Sequence, residues 1–128
     1  MNEVSTTALR VMMMPRDTNH EGTIFGGVIL THIDQAGYVE ARRHGPHRWV
    51  TAVIDRVEFL APVQVGDIVD FCTQTTRLGR TSVTVAVQVF AERRITNERV
   101  HVTTAQLVMV AIDDDGRPVP FASEVGRS

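Results

Sequence analysis

A chain of 128 residues and 14.2 kDa has room for one hydrophobic core but not for a catalytic domain with a separate regulatory one, so residues 1–128 are expected to form a single domain. Its 43% hydrophobic and 22% charged residues fit a packed soluble fold, not a disordered, collagenous or membrane-embedded chain, and a net charge of −2 gives no bulk support to nucleic-acid binding. All 13 residues of the Lys-plus-Arg class are arginine, which excludes lysine Schiff-base chemistry, and the single Cys72 excludes an intramolecular disulfide and a multi-cysteine zinc site.

The first residues, Met1 to Thr7, lack the basic-then-apolar pattern of a secretory signal, and the longest apolar run, Ile24 to Leu30, is too short to span a bilayer. A cytoplasmic protein without a membrane segment is the expectation. The ends, residues 1–6 and 121–128, read as frayed, which leaves an ordered core of about 8–115. Residues 8–14 are apolar and stop at Pro15, a first strand closed by a proline. A polar loop rich in turn formers follows, from Pro15 to Thr23.

From Gly27 to His44 the residues Ile29, Leu30, Ile33, Ala36, Gly37 and Ala41 recur at helical spacing, so the segment predicts an amphipathic helix. Arg42, Arg43 and His44 in its last turn, Gly45 as a left-handed cap and Pro46 beyond mark its end. The small residues on the buried arc predict a close approach to a sheet. Four strands are expected next, at 49–59, 67–77, 81–93 and 99–112, with breaks at Pro62, Gly66, Gly79 and Asn97. Val83, Val85, Val87 and Val89 alternate with smaller or polar residues, which buries one face of that strand. Gln106 to Ile112 is apolar on both faces, which predicts a central strand or one covered by another subunit. The whole reads as an α+β domain whose antiparallel sheet curls round a single long helix. One helix covers one face, so a homodimer or a larger assembly is expected.

Chemistry concentrates at the start of that helix. Gly26 and Gly27 lack a Cβ, and the first N–H groups of a helix have no intrahelical acceptor and lie at the positive end of its dipole, which suits polarisation of a carbonyl oxygen. The same pair also reads as a tight loop-to-helix turn. Asp34 is taken as the one acid near the buried side of the helix, a general-base candidate or equally a structural carboxylate. Seven residues separate it from Gly27, about 10 Å along the axis, so one copy of the chain is not expected to bring the two together. A neighbouring chain would close the gap. Asn19 and His20 in the preceding loop offer an amide and an imidazole to orient a water or a carbonyl. Arg77, Arg80, Thr81 and Ser82 surround a turn at a strand end, where they would grip phosphates or form a solvated hairpin tip. The histidines are too dispersed for metal-ligand spacing, so no metal is expected, and Ser82 lies in no nucleophile elbow.

Taken together, Asn19-His20-Glu21-Gly22-Thr23-Ile24-Phe25-Gly26-Gly27 followed by Asp34, with Thr51 to Phe59, Pro62 to Asp67 and Leu78 to Ser82, resembles the hotdog-fold acyl-CoA thioesterases of the YciA and brain acyl-CoA hydrolase group over about residues 8–113. The resemblance implies a hotdog fold and hydrolysis of acyl-CoA to carboxylic acid and CoA without a cofactor. It also implies active sites at a dimer interface, the dimers packing as a trimer of dimers. In that frame Asp34 is general base or nucleophile, Asn19 positions the water or carbonyl from the opposite subunit, and Gly26 and Gly27 polarise the carbonyl. Arg80, Thr81 and Ser82 lie along CoA, with Arg56 and Arg77 as further candidates.

Two rival readings accompany it. Asp17, Asn19 and His20 faintly echo the loop of hotdog enoyl-CoA hydratases, a pattern that gives Asp34 no role. A non-catalytic acyl-CoA sensor would need neither Asn19 nor Asp34.

Overall fold

The computed structural model describes residues 5–122; residues 1–4 and 123–128, parts of the two ends expected to fray, lie outside the described residues. The chain runs β1 (Thr6–Met12), a 3-10 turn (Pro15–Asp17), α1 (Gly26–Arg42), β2 (Arg48–Phe59), β3 (Ile68–Leu78), β4 (Ser82–Glu92) and β5 (Arg99–Ile112). The five strands form one antiparallel sheet in the order β1-β3-β4-β5-β2. The expected α+β class, the helix and all five strands are present, their limits within two residues of those read from the sequence.

The sheet wraps α1 because one face of each inner strand is apolar. Val83, Val85, Val87 and Val89 of β4 and Leu107, Met109 and Ala111 of β5 are buried, and α1 lays Ile29, Ile33, Ala36 and Ala41 on them. Gly37 permits the closest approach: a Cβ there would stand 3.0 Å from Leu107 Cδ2, tighter than ordinary side-chain contact. β5 lies inside the sheet, between β4 and β2; its Leu107, Met109 and Ala111 face the core, whereas Val108, Val110 and Ile112 on the opposite face are half-buried. The helix ends where its sequence signals stop it. Gly45 takes φ +143°, a left-handed value that favours glycine, its N–H bonds the Arg42 carbonyl at 3.2 Å, and its own carbonyl accepts Trp49 Nε1–H at 2.9 Å.

Glu40 corrects the expectation that Asp34 is the one acid on the buried side of the helix. It is 6% exposed, whereas Asp34 is half-buried. Its carboxylate accepts the hydroxyls of Thr73 at 2.9 Å and Thr75 at 2.7 Å, and Thr75 Oγ1 lies 2.9 Å from His44 Nε2. Position 40 falls on the same arc as Ile33 and Ala36, and burial is tolerated there because β3 supplies two donors.

A second polar cluster ties the strands together. Buried Asp70 of β3 bonds Arg10 of β1 at 2.6 Å and Arg99 of β5 at 2.7 Å, and Glu92 of β4 reaches Arg10 at 3.3 Å. The hydrogen bond that each guanidinium donates to Asp70 raises both arginine pKa values above their already high ordinary position. A raised basic group contributes fully below its unfolded pKa, so the two guanidinium groups stay charged through the neutral range and lose their contribution only in strong alkali.

β1 and β2 are the two outer strands. Beyond Gly116 the chain doubles back: Val119 N–H bonds the Ala111 carbonyl at 2.9 Å, and the ring of Phe121 lies 5.4 Å from that of Trp49. Phe121 and Ala122, read as part of a frayed end, are therefore packed. The reason is the Phe121 ring, which finds an aromatic surface that the sequence does not display.

Leu107→Ala is expected to cost about 2–5 kcal/mol in denaturant unfolding, through lost burial and a residual cavity. Adding Gly37→Ala should recover part of that loss, because the new methyl group points into the vacated space; additive losses would contradict the packing described.

Candidate functional site

Asn19 organises the loop that feeds α1. Its side-chain oxygen accepts the N–H groups of Glu21 at 2.8 Å and Thr23 at 3.1 Å, and its Nδ2 donates to Thr23 Oγ1 at 3.0 Å. Among the described residues, the remaining capacity of the amide is one Nδ2 hydrogen, so it is free to act as a donor. Its neighbours do not form the hydratase-like cluster considered from the sequence. Asp17 bonds the Met14 N–H at 3.0 Å, and His20 is exposed, with Glu21 3.3 Å away.

The chain enters the helix on two fixed contacts, Ile24 N–H to the Val63 carbonyl at 2.8 Å and Phe25 N–H to the Asp17 carbonyl at 3.0 Å. The cap residue, Phe25, supplies no side-chain acceptor. Among the described residues the N–H groups of Gly26 and Gly27 therefore have no partner and are available to a ligand oxygen. The two glycines differ. A Cβ on Gly26 would meet the Phe59 ring at 3.2 Å, whereas one on Gly27 meets nothing within 4 Å. Gly26, Ile29, Phe59 and Ala61 help line a cleft of about 340 Å³.

Asp34 lies in a different cleft, of about 420 Å³, with Leu9, Tyr38, Trp49, Thr51 and Met109. Thr51 Oγ1 donates to Asp34 Oδ1 at 2.5 Å, which fixes the carboxylate against a mostly apolar wall that also carries Gln35. Thr51 received no role from the sequence. Its signal was a hydroxyl in a hydrophobic strand, and only the packing of β2 against α1 reveals its partner. Within one chain the structure does not bring Asp34 and Gly27 together, as their spacing on one helix required.

The turn between β3 and β4 is held by Gly79 N–H on the Ser82 carbonyl at 2.8 Å and by Ala111 N–H on the Thr81 carbonyl at 2.9 Å. Arg80 is exposed and makes no ion pair among the described residues. It lines a cleft of about 370 Å³ with Leu78, Gly79, Phe121 and Ala122. Arg77 is exposed at a bulge of β3. Arg56 is exposed with φ +53° inside a bulge of β2, a left-handed backbone that costs an arginine about 1 kcal/mol. Neither lines the Arg80 cleft. Among the described residues, no group of three or more His, Cys, Asp and Glu side chains is placed to hold a metal ion, and no helix is long and apolar enough to cross a membrane.

A sheet wrapped round one helix, with an open helix N-terminus and an apolar cleft bearing a carboxylate, is the architecture of a thioester hydrolase of the hotdog type. Residues 21–97 match the Thioesterase superfamily, and the chain belongs to that family. Among curated relatives, the acyl-CoA thioester hydrolase YciA of Salmonella typhimurium is 35% identical over 116 residues, which span 88% of this chain and 87% of the relative. Cj0915, a hexameric hotdog fold thioesterase of Campylobacter jejuni, superposes with a TM-score of 0.87 at 38% identity, over 95% of this chain and 94% of that one. An acyl-CoA hydrolase from Staphylococcus aureus, solved with butyryl coenzyme A and coenzyme A, superposes with a TM-score of 0.80 at 33% identity, over 88% of this chain and 68% of that one. Variants of the Staphylococcus enzyme with one asparagine or one aspartate changed to alanine have also been solved.

Three variants at two positions test this geometry. Thr51→Val, which keeps shape and removes the donor to Asp34, is expected to lower thioesterase turnover by about tenfold or more, with Thr51→Ser restoring it. Gly27→Ala should leave thermal stability unchanged or raised by about 0.4–1 kcal/mol and yet reduce turnover, because its methyl group stands where a carbonyl would approach. Full activity in Gly27→Ala would exclude that approach.

Proposed function

We propose that the reaction is hydrolysis of an acyl-CoA thioester to a free carboxylic acid and CoA, in a site completed by two copies of the chain. The observation that carries this reading is Asp34, whose Oδ1 is engaged by Thr51 while Oδ2 has no partner among the described residues. As general base, Asp34 takes a proton from water, the oxygen adds to the thioester carbon, the C–S bond breaks, and the proton passes to the departing thiolate. As nucleophile, the same carboxylate displaces the thiolate to form an anhydride that water then cleaves. In either path the N–H groups of Gly26 and Gly27 hold the developing oxyanion, and the free Nδ2 hydrogen of Asn19 positions the water or carbonyl.

The spacing of Asp34 and Gly27 on one helix supports a homodimer in which Asp34 of one copy faces Asn19 and Gly27 of the other. β2 offers the surface for it, an outer strand with Val50, Val53 and Ile54 about 40% exposed. With Cj0915 hexameric, the assembly proposed here is a trimer of such dimers. Arg80, Thr81 and Ser82 take the CoA end of the substrate, Arg80 as the phosphate partner, with Arg56 and Arg77 as secondary contacts. CoA enters as part of the substrate, and no metal or prosthetic group takes part. Buried, unpaired Cys72 fits a reducing cytoplasm.

Thiol release is the measurement, across acetyl- to palmitoyl-CoA with one aromatic and one β-hydroxy member. Asp34→Asn is expected to lower turnover by about 10²–10⁴-fold with the assembly size unchanged by light scattering, and unchanged turnover would exclude the role given to Asp34. Arg80→Ala should raise KM for acyl-CoA and spare an acyl-N-acetylcysteamine, which lacks the nucleotide.

A further inference from the structure

The cleft at Arg80 has a wall that neither the chemistry nor the sequence reading used. Phe121, in the segment that doubles back after Gly116, is held on four sides. Its N–H bonds the Arg80 carbonyl at 3.4 Å, and its carbonyl accepts from His47 Nε2 at 2.7 Å. Its ring tilts against Trp49 with 5.4 Å between centroids and meets His44 at 6.1 Å, edge on. The His44 contact is itself anchored. Thr75 gives its one hydroxyl proton to Glu40, so it accepts from His44 Nε2–H. The aromatic seat of Phe121 is thus rooted, through two hydrogen bonds, in the buried carboxylate of α1.

We infer that Phe121 is a positioning residue for the CoA end of the substrate: it fixes the backbone of Arg80 and forms the apolar wall of the cleft that Arg80 rims. The inference rests on the reading of Arg80 as the CoA contact. A cleft with Leu78 and Phe121 on its sides and a free guanidinium at its mouth matches a ligand with an aliphatic amide arm and a phosphate, the composition of phosphopantetheine. The hydrogen bond between residues 121 and 80 places the strap and the turn in one unit, so loss of the ring displaces both wall and guanidinium. Phe121 reaches the Asp34 cleft only through Trp49, whose indole is held independently by the Gly45 carbonyl, so the thioester end is expected to be indifferent to it.

The test compares hydrolysis of butyryl-CoA and butyryl-N-acetylcysteamine by the full chain and by Phe121→Ala, Phe121→Leu, His47→Gln and Arg80→Ala. Phe121→Ala should raise KM for butyryl-CoA by roughly three- to tenfold with kcat unchanged, and should leave both constants for the truncated thioester as they were. Phe121→Leu, which keeps an apolar wall, should return most of the loss. His47→Gln should move KM the same way by less, and it decides the matter if Phe121→Ala does not fold. Equal losses on both substrates, a fall in kcat alone, or wild-type kinetics in both Phe121→Ala and His47→Gln would overturn the inference. Arg80→Ala separates the two readings. A CoA-specific effect there with silent Phe121 and His47 variants sinks the strap and keeps Arg80; the reverse pattern keeps the strap and moves the phosphate contact elsewhere.

Discussion

Everything in this molecule depends on how closely α1 can sit on the sheet. Gly37 meets Leu107 so closely that a side chain at position 37 would force Leu107 to shift, and Ala36 and Ala41 keep the rest of that face shallow. The consequence is a tight wrap, in which β2 and β3 reach round the helix far enough to touch its flanks. Thr51 meets Asp34 and Thr73 meets Glu40 because of that wrap. A bulkier helix face would push the sheet outward, and the hydroxyl that holds Asp34 would no longer reach it.

In the proposed site the same helix carries both ends of the chemistry, and it is this that calls for a second copy. Bare N–H groups exist only at its start, whereas the carboxylate stands two turns further along, in a separate cleft. A helix is stiff, so no local adjustment brings the two together. Catalysis by one copy would need a second acid near Gly27, and Glu21, the nearest in sequence, is exposed in the loop. Pairing of chains is therefore part of the proposed active site and not only of stability.

Elements defined by period were legible in the sequence. The valine alternation of β4, the helical arc from Ile29 to Ala41 and the Arg-Arg-His-Gly-Pro stop each state a local preference that the tertiary structure did not oppose. Asp34 was singled out for the same reason, by its place at the edge of the arc. What stayed hidden are pairings between distant positions. Thr51 and Asp34 are joined through the placement of β2 against α1, and Glu40 reads as a surface acid until Thr73 and Thr75 are brought beneath it. Asn19 shows a further limit. Residue type gave it donors and acceptors, but only the folded loop shows that its oxygen is already taken. Phe121 failed as a signal because one aromatic ring in a short polar tail carries no period at all.

The two outer strands of the sheet are unlike. β1 has 7 residues and an arginine locked into the Asp70 cluster; β2 has 12 and leaves several apolar side chains uncovered. A sheet with two receptive rims can add chains without end, which is the route to fibres. A sheet with one receptive rim cannot. In the proposed dimer, joined through β2, both such rims would be consumed and only the blunted β1 rims would face outward. Growth by strand addition thus ends at two, and any larger particle must be built through faces or loops.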